Sequence, residues 1–277
     1  MAKKFFEGWY YKQQCLGKTL ALIPGHTGDG AFIQVVTGEG AFHADYPASA
    51  LKKVKEGVQI GANRFSHSGI DVDIKTKELS LRGKLSYTNL SPPAYDIMGP
   101  FRFFPMECRH SVISMDHNVA GKLTVNGEEW DFHGGRGYIE GDRGRSFPRS
   151  YSWVQCNAFD EPCSVMVSVA HIPLGGLHFT GCISTVWYGG REYRLATYRG
   201  VRILRREQRI LELQQGPLRL YVEMEKDPGH ALFAPEGGSM CRKIHETPTA
   251  AARFRFWVQD RLLFDKTSPY ASFEYVQ

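Results

Sequence analysis

The 277-residue chain carries only six cysteines, at positions 15, 108, 156, 163, 182 and 241, and no two of them stand in C-x-x-C spacing. That excludes zinc ribbons and dithiol redox motifs. The opening "MAKKFFEGWYYKQQ" has three lysines but no apolar run and no cleavage site, so nothing marks the chain for export. Reduced thiols and a cytoplasmic location are the expectation. Also missing are the G-x-S-x-G elbow, the H-E-x-x-H zinc helix and the G-x-x-x-x-G-K-[ST] phosphate loop. "GHTGDGAF" at 25–32 is a glycine-rich turn without the helix that phosphate binding requires. Hydrolase and nucleotide chemistry are therefore disfavoured. An excess of one charge is lacking too: 34 Lys and Arg against 29 Asp and Glu leave +5, too scattered to make a nucleic-acid face. The densest basic run, "RGVRILRREQRILEL" at 199–213, is interrupted by Glu207 and Glu212 and reads as a solvated face. Only Cys163 to Gly190 is long enough without charge to cross a bilayer. With Pro173, His171, His178 and five glycines, it reads instead as two buried antiparallel strands joined by a turn, and no stable membrane insertion is expected.

What is present is a strand-and-turn pattern, with 29 Gly and 14 Pro supplying the turns. "KLTVNGEEWDFH" puts Asn126-Gly127, the pair suited to a type I′ hairpin, between alternating Leu123/Val125 and Trp130/Phe132. "STVWYGGREYRLATY" repeats that logic at Gly189-Gly190, and helical signal is scarce. The fold expected is all-β, of sandwich or barrel type. "EGWYYKQQC" at 7–15 and "RSYSWVQC" at 149–156 echo one another, and two domains are expected, at 1–135 and 136–277.

Three segments offer function. "TNLSPPAYDIMGPFRFFPMECRH" at 88–110 is a long loop with four prolines. Phe101, Phe103 and Met106 in it must pack on the domain or cover an apolar ligand. "MECRHSVISMDH" looks at first like a metal constellation, but alternate positions on a strand lie about 7 Å apart, so its ligands cannot converge on one ion. A polar stripe of His110, Ser114 and Asp116 facing a barrel interior is the better reading, either as buried hydrogen-bonded structure or as part of a pocket wall. "HGGRGYIEGDRGRSFPRSYSWVQ" places Glu140 and Asp142 two apart on a strand, with Arg143 and Arg145 beyond. Paired carboxyls in a dry site compete for one proton, which leaves a carboxylic acid near neutral pH. The opposing reading is ion pairing of Glu140, Asp142 or Glu7 with Arg145 and Arg149.

"FFEGWYYK", "MGPFRFFPMECRHSVISMDH" and "GYIEGDRGRSFPRSYSWVQCN" together resemble the tocopherol cyclase family and its bacterial relatives. The resemblance implies two lipocalin-like β-barrel domains packed side by side. It implies ring closure of a lipophilic prenylated or polyene substrate, in which a phenol adds across a double bond, with no redox cofactor and no metal. Asp142 then stands as the acid, Glu140 as its modulator, and His110 or Glu7 as acceptor of the phenolic proton. Trp9, Tyr11 and Trp153 are placed to face a cation, and Arg145 to orient the carboxylates. Where relatives usually carry Trp, this chain has Arg143. The alternative is a lipocalin-like carrier that binds a hydrophobic small molecule without chemistry.

Overall fold

A computed structural model describes residues 5–174, 177–225 and 227–277. The first sheet holds β1 (Phe6–Cys15), β2 (Lys18–Thr27), β3 (Ala31–Thr37), β4 (Ala41–Tyr46), β5 (Leu51–Val54) and β6 (Gly57–Ile60). It continues with β7 (Asn63–Ser66), β8 (Gly69–Lys75), β9 (Ser80–Thr88), β10 (Cys108–Val125), β11 (Glu128–Asp131) and β12 (Gly135–Gly144). The second holds β13 (Tyr151–Cys156), β14 (Cys163–Leu174), β15 (Leu177–Tyr188), β16 (Arg191–Ala196) and β17 (Arg202–Arg206). It ends with β18 (Ile210–Gln215), β19 (Leu218–Met224), β20 (His230–Glu236), β21 (Ser239–Val258) and β22 (Arg261–Val276). The pairings within both sheets are antiparallel, as the abundance of short hairpin turns predicts. Asn126 and Gly127 both take positive φ, +49° and +88°, in the β10–β11 turn. The uncharged 163–190 stretch pairs as β14 against β15, its connecting residues 175–176 lying outside the described chain.

The two sheets repeat one topology, which explains the echo between their opening strands. From β1 or β13 the chain meanders outward through three further strands to an edge, β4 or β16. It then makes a 3-10 turn, Ala48–Ala50 or Thr197–Arg199, and starts again at the opposite edge, β5 or β17. A second meander returns to lie beside the opening strand, as β12 beside β1 and β22 beside β13.

The expected lipocalin-like barrels are not formed. Neither sheet closes, because β4 makes no ladder with β5, nor β16 with β17, among the described residues. Alternating hydrophobicity requires only that one face of a curled sheet be buried, and an open coil satisfies it as well as a barrel does. Lys52 and Lys53 on β5 and Arg202 and Arg205 on β17 are exposed, and charge on an edge strand discourages further pairing. At the other edge, Gln215 stands in for a strand: its side-chain oxygen accepts from the Ala196 N–H at 2.9 Å and its amide donates to the Arg194 carbonyl at 2.9 Å.

Each curl encloses its own apolar core, one built around Tyr11, Phe65 and Phe132, the other around Val167, Phe254 and Phe256. A third core lies between the sheets and includes Tyr10, Met98, Tyr138, Tyr151, Trp153 and Ile244. Polar bonds stitch the same seam. Gln34 on β3 exchanges two hydrogen bonds with the backbone of Phe233 on β20, and Gln14 donates to Asn157 at 2.9 Å.

Candidate active site

Period-two alternation sends Tyr138, Glu140 and Asp142 of β12 to the face that meets the second sheet, and Ile139 to the first core. His110 on β10 is the cross-strand partner of Asp142, so their side chains meet. Its Nδ1 lies 3.0 Å from Asp142 Oδ1 and its Nε2 3.2 Å from Glu140 Oε2. Burial works against a charged imidazole here, but the two carboxylates outweigh it and hold His110 well above its ordinary range. Glu140 also accepts from the Tyr138 hydroxyl at 2.5 Å and from the Trp153 indole N–H at 3.2 Å, the latter reaching over from the second sheet. The Cys108 thiol donates to Asp142 at 3.4 Å.

These groups form one wall of a cleft between the sheets with about 1350 Å³ of empty space, part of it open to solvent. The other walls are mostly apolar, with Phe6, Phe32, Ile23, Met98, Phe147 and Ile172 among them. Two glycines shape this region. A side chain at Gly25 would strike the Phe32 ring, and Gly144, at φ +159°, lets β12 end against the backbone of Glu107.

The cleft gathers seven of the sequence candidates: Glu140, Asp142, His110, Trp9, Phe101, Met106 and Trp153. It leaves out five. Tyr11 is fully buried in the first core, because the strand parity that turns Tyr10 to the seam turns Tyr11 away; Trp9 shares that parity and packs against the same core while bordering the cleft. Phe103 is 76% exposed. Ser114 donates to the Asp116 carbonyl at 2.8 Å and plays a backbone role. Arg145 does not line the cleft. Glu7 is held by Lys53 at 2.9 Å and His26 at 3.2 Å. The His110–Ser114–Asp116 stripe is broken by two irregularities of β10, at Val112/Ser114 and Ser114/His117, and Asp116 instead pairs with Arg136. No guanidinium bridges Glu140 or Asp142 among the described residues; the histidine does.

His110, Glu140 and Asp142 present ligand atoms within 4.8 Å of one another, a set that could hold a divalent ion. The donors already in place suit a proton better: His110 Nδ1 bonds Asp142, Tyr138 and Trp153 both donate to Glu140 Oε2, and the charge of an imidazolium faces Glu140 across 3.2 Å without a hydrogen bond from Nε2. Sequence reading missed Tyr138, although its place two residues before Glu140 puts it on the same face. It also missed Tyr10, Tyr151 and Glu274, which reach the cleft from other strands.

The tocopherol cyclase-like family profile matches residues 25–177. Solved structures share the fold at low identity. The structure of CghA with Sch210972 has a TM-score of 0.62 at 11% identity, covering 98% of this chain and 88% of that one. Kievitone hydratase from Nectria haematococca has a TM-score of 0.56 at 10% identity, with the same coverage of 98% and 88%. A protein assigned as AttH from Nitrosomonas europaea has a TM-score of 0.56 at 14% identity, covering 98% and 93%. No curated protein is similar enough to count as a match.

Proposed function

Because the chain belongs to the tocopherol cyclase-like family, we propose that it is an acid–base enzyme that adds an O–H group across a double bond of a lipophilic substrate, with ring closure of a prenylated phenol as the specific reaction. The observation that carries this is the imidazole wedged between Glu140 and Asp142 on the wall of an apolar cleft. One relative by fold is named a hydratase, a class that makes the same kind of addition with water.

The chemistry is balanced without electron transfer. A neutral acid on the cleft wall gives its proton to an alkene carbon, a C–H bond forms, and the cation left at the neighbouring carbon is captured by the phenol oxygen. The phenol proton passes to Asp142, whose carboxylate His110 orients and Glu140 steadies from the far side of the ring. Trp153 and Tyr10, edge to face at 5.3 Å, offer π-electrons to the cation, and the apolar walls keep water from trapping it.

The test is incubation with a panel of prenylated hydroquinones in D2O, followed by mass spectrometry and NMR. The expected product is an isomer carrying one deuterium at the former alkene carbon. Asp142→Asn and His110→Gln should each lower kcat/KM by roughly 10²–10⁴-fold, the usual worth of a positioned acid–base group, with melting temperatures close to wild type. Retained turnover in both variants removes the assignment. A panel bound tightly but returned unaltered makes the protein a carrier.

A further inference from the structure

The second sheet brings its own acid to the cleft. Along one row of cross-strand partners stand Ser168 on β14, Trp153 on β13, Glu274 on β22 and Glu246 on β21. Partners in such a row point to the same face, and Ser168, Trp153 and Glu274 all line the cleft. Glu246, next in the row, lies behind them and is fully buried. Two buried carboxyls are thus side by side, one on the cleft wall and one behind it. Tyr151 donates to Glu274 Oε2 at 2.5 Å, and Tyr10 reaches across from the first sheet to donate to Glu246 Oε1. Glu246 Oε2 is buried without a partner.

We propose that Glu274 is the proton donor of the cleft, a carboxylic acid on the wall opposite the Glu140–His110–Asp142 cluster, and that Glu246 is the positioning residue that keeps it protonated. The assignment rests on the acid–base reading of the cleft. Two adjacent buried carboxylates cannot both ionise without heavy cost, so the pair retains a proton. Burial first, then the charge of Glu246, pushes Glu274 well above the carboxylate range, and Glu140 and Asp142 on β12 push the same way. Glu246 is itself raised to about 7 by burial, against the Tyr10 hydrogen bond and the charge of Lys12.

The nearby cations are already committed to other groups. Lys12 on β1 donates to Gln155 and to the Tyr270 carbonyl, and Arg242 on β21 donates to the carbonyls of Pro148 and Arg149. His110 is held by its own two carboxylates. Acid and base therefore stand on different sheets. The Glu274 O–H bond breaks as the alkene C–H bond forms, the substrate hydroxyl proton goes to Asp142, and water at the open mouth returns the proton balance to its starting state.

Three measurements test this. In wild type at pH 7 the infrared spectrum should contain the C=O stretch of a buried protonated carboxyl that Glu274→Gln removes, a readout independent of turnover. Glu274→Gln should lose at least about 100-fold in kcat, with partial recovery in Glu274→Asp. Activity needs Glu274 protonated, so the rate falls as pH rises through its titration. Glu246→Gln, which takes away the neighbouring charge, should move that falling limb to lower pH while the plateau rate stays within a few fold. Wild type that turns over no substrate overturns the acid–base reading itself. A fully active Glu274→Gln, an unmoved limb in Glu246→Gln, or no Glu274 carboxyl band at pH 7 overturns this assignment alone.

Discussion

Glu7 and Glu140 both lie on central strands of the first sheet, and their neighbours give them opposite work. The His26 hydrogen bond, joined by Lys53 and opposed by burial, lowers Glu7 to about 2, so it stays ionised and is a poor proton acceptor. A carboxylate lowered in the fold stabilises it above the ordinary value of 4.5, and that contribution is lost as pH falls from there towards 2. Glu7→Gln should therefore cost about 1–2 kcal/mol at pH 7, less than the shift alone implies because Lys53 is exposed and screened. The cost should vanish near pH 2, and turnover should not change; urea melts at several pH values check the first and steady-state kinetics the second. At this scale the sequence was legible where spacing alone decides. Glu140 and Asp142, two apart, had to share a face. It was not legible where parity had to be anchored: "GWYYK" alternates equally well with Tyr10 or with Trp9 and Tyr11 turned to the cleft, and only the seam with the second sheet chooses Tyr10. Glu274 and Glu246 stand alone in strands near the end of the chain, and nothing local marks them as neighbours.

Hairpins were the most legible elements, since positive φ at Asn126-Gly127 and Gly189-Gly190 is a local requirement that those residues meet locally. The basic 199–213 run, expected as a solvated face, forms the β17–β18 hairpin, its exposed Arg202 and Arg205 guarding an edge. Closure, by contrast, depends on how two strands distant in sequence meet, and no local pattern records it. The Gln215 side chain shows how the open edge is tolerated, because it satisfies one donor and one acceptor that a closing strand would otherwise take. Gln215→Ala strips both partners from part-buried backbone groups and should destabilise the fold by about 1–3 kcal/mol. The slope of the urea transition should stay the same, because the surface exposed on unfolding hardly changes. A loss under about 0.5 kcal/mol would mean that water replaces the amide and the edge needs no such guard.

For the molecule as a whole, the repeated topology puts β1 and β13 face to face, and the cleft exists because these two opening strands meet through side chains rather than through a ladder. Family resemblance in three separated motifs implied two closed barrels, of which only an all-β pair of antiparallel sheets is formed, and alongside Trp153, which the sequence singled out, the seam uses residues that looked unremarkable. Lys12 is the clearest. It is fully buried between the sheets, donating to Gln155 on β13 at 3.2 Å and to the Tyr270 carbonyl on β22 at 2.7 Å. Burial, only partly offset by the charges of Cys156 and Glu246, lowers it from 10.5 to about 8. Below pH 8 both folded and unfolded chains carry the proton, and folding bears the full cost of burying the ammonium. Between about 8 and 10.5 the unfolded chain binds the proton more tightly, so stability rises with pH, by about 3 kcal/mol in total for a shift of this size. Lys12→Met keeps the length of the side chain and leaves two acceptors unpartnered, but that loss does not depend on pH. The stability of wild type relative to Lys12→Met should therefore climb by up to about 3 kcal/mol from pH 8 to pH 10.5, as read from urea melts. A difference that is flat throughout would mean the ammonium is hydrated, and the two sheets would then be separated by water at this point rather than packed into a dry seam.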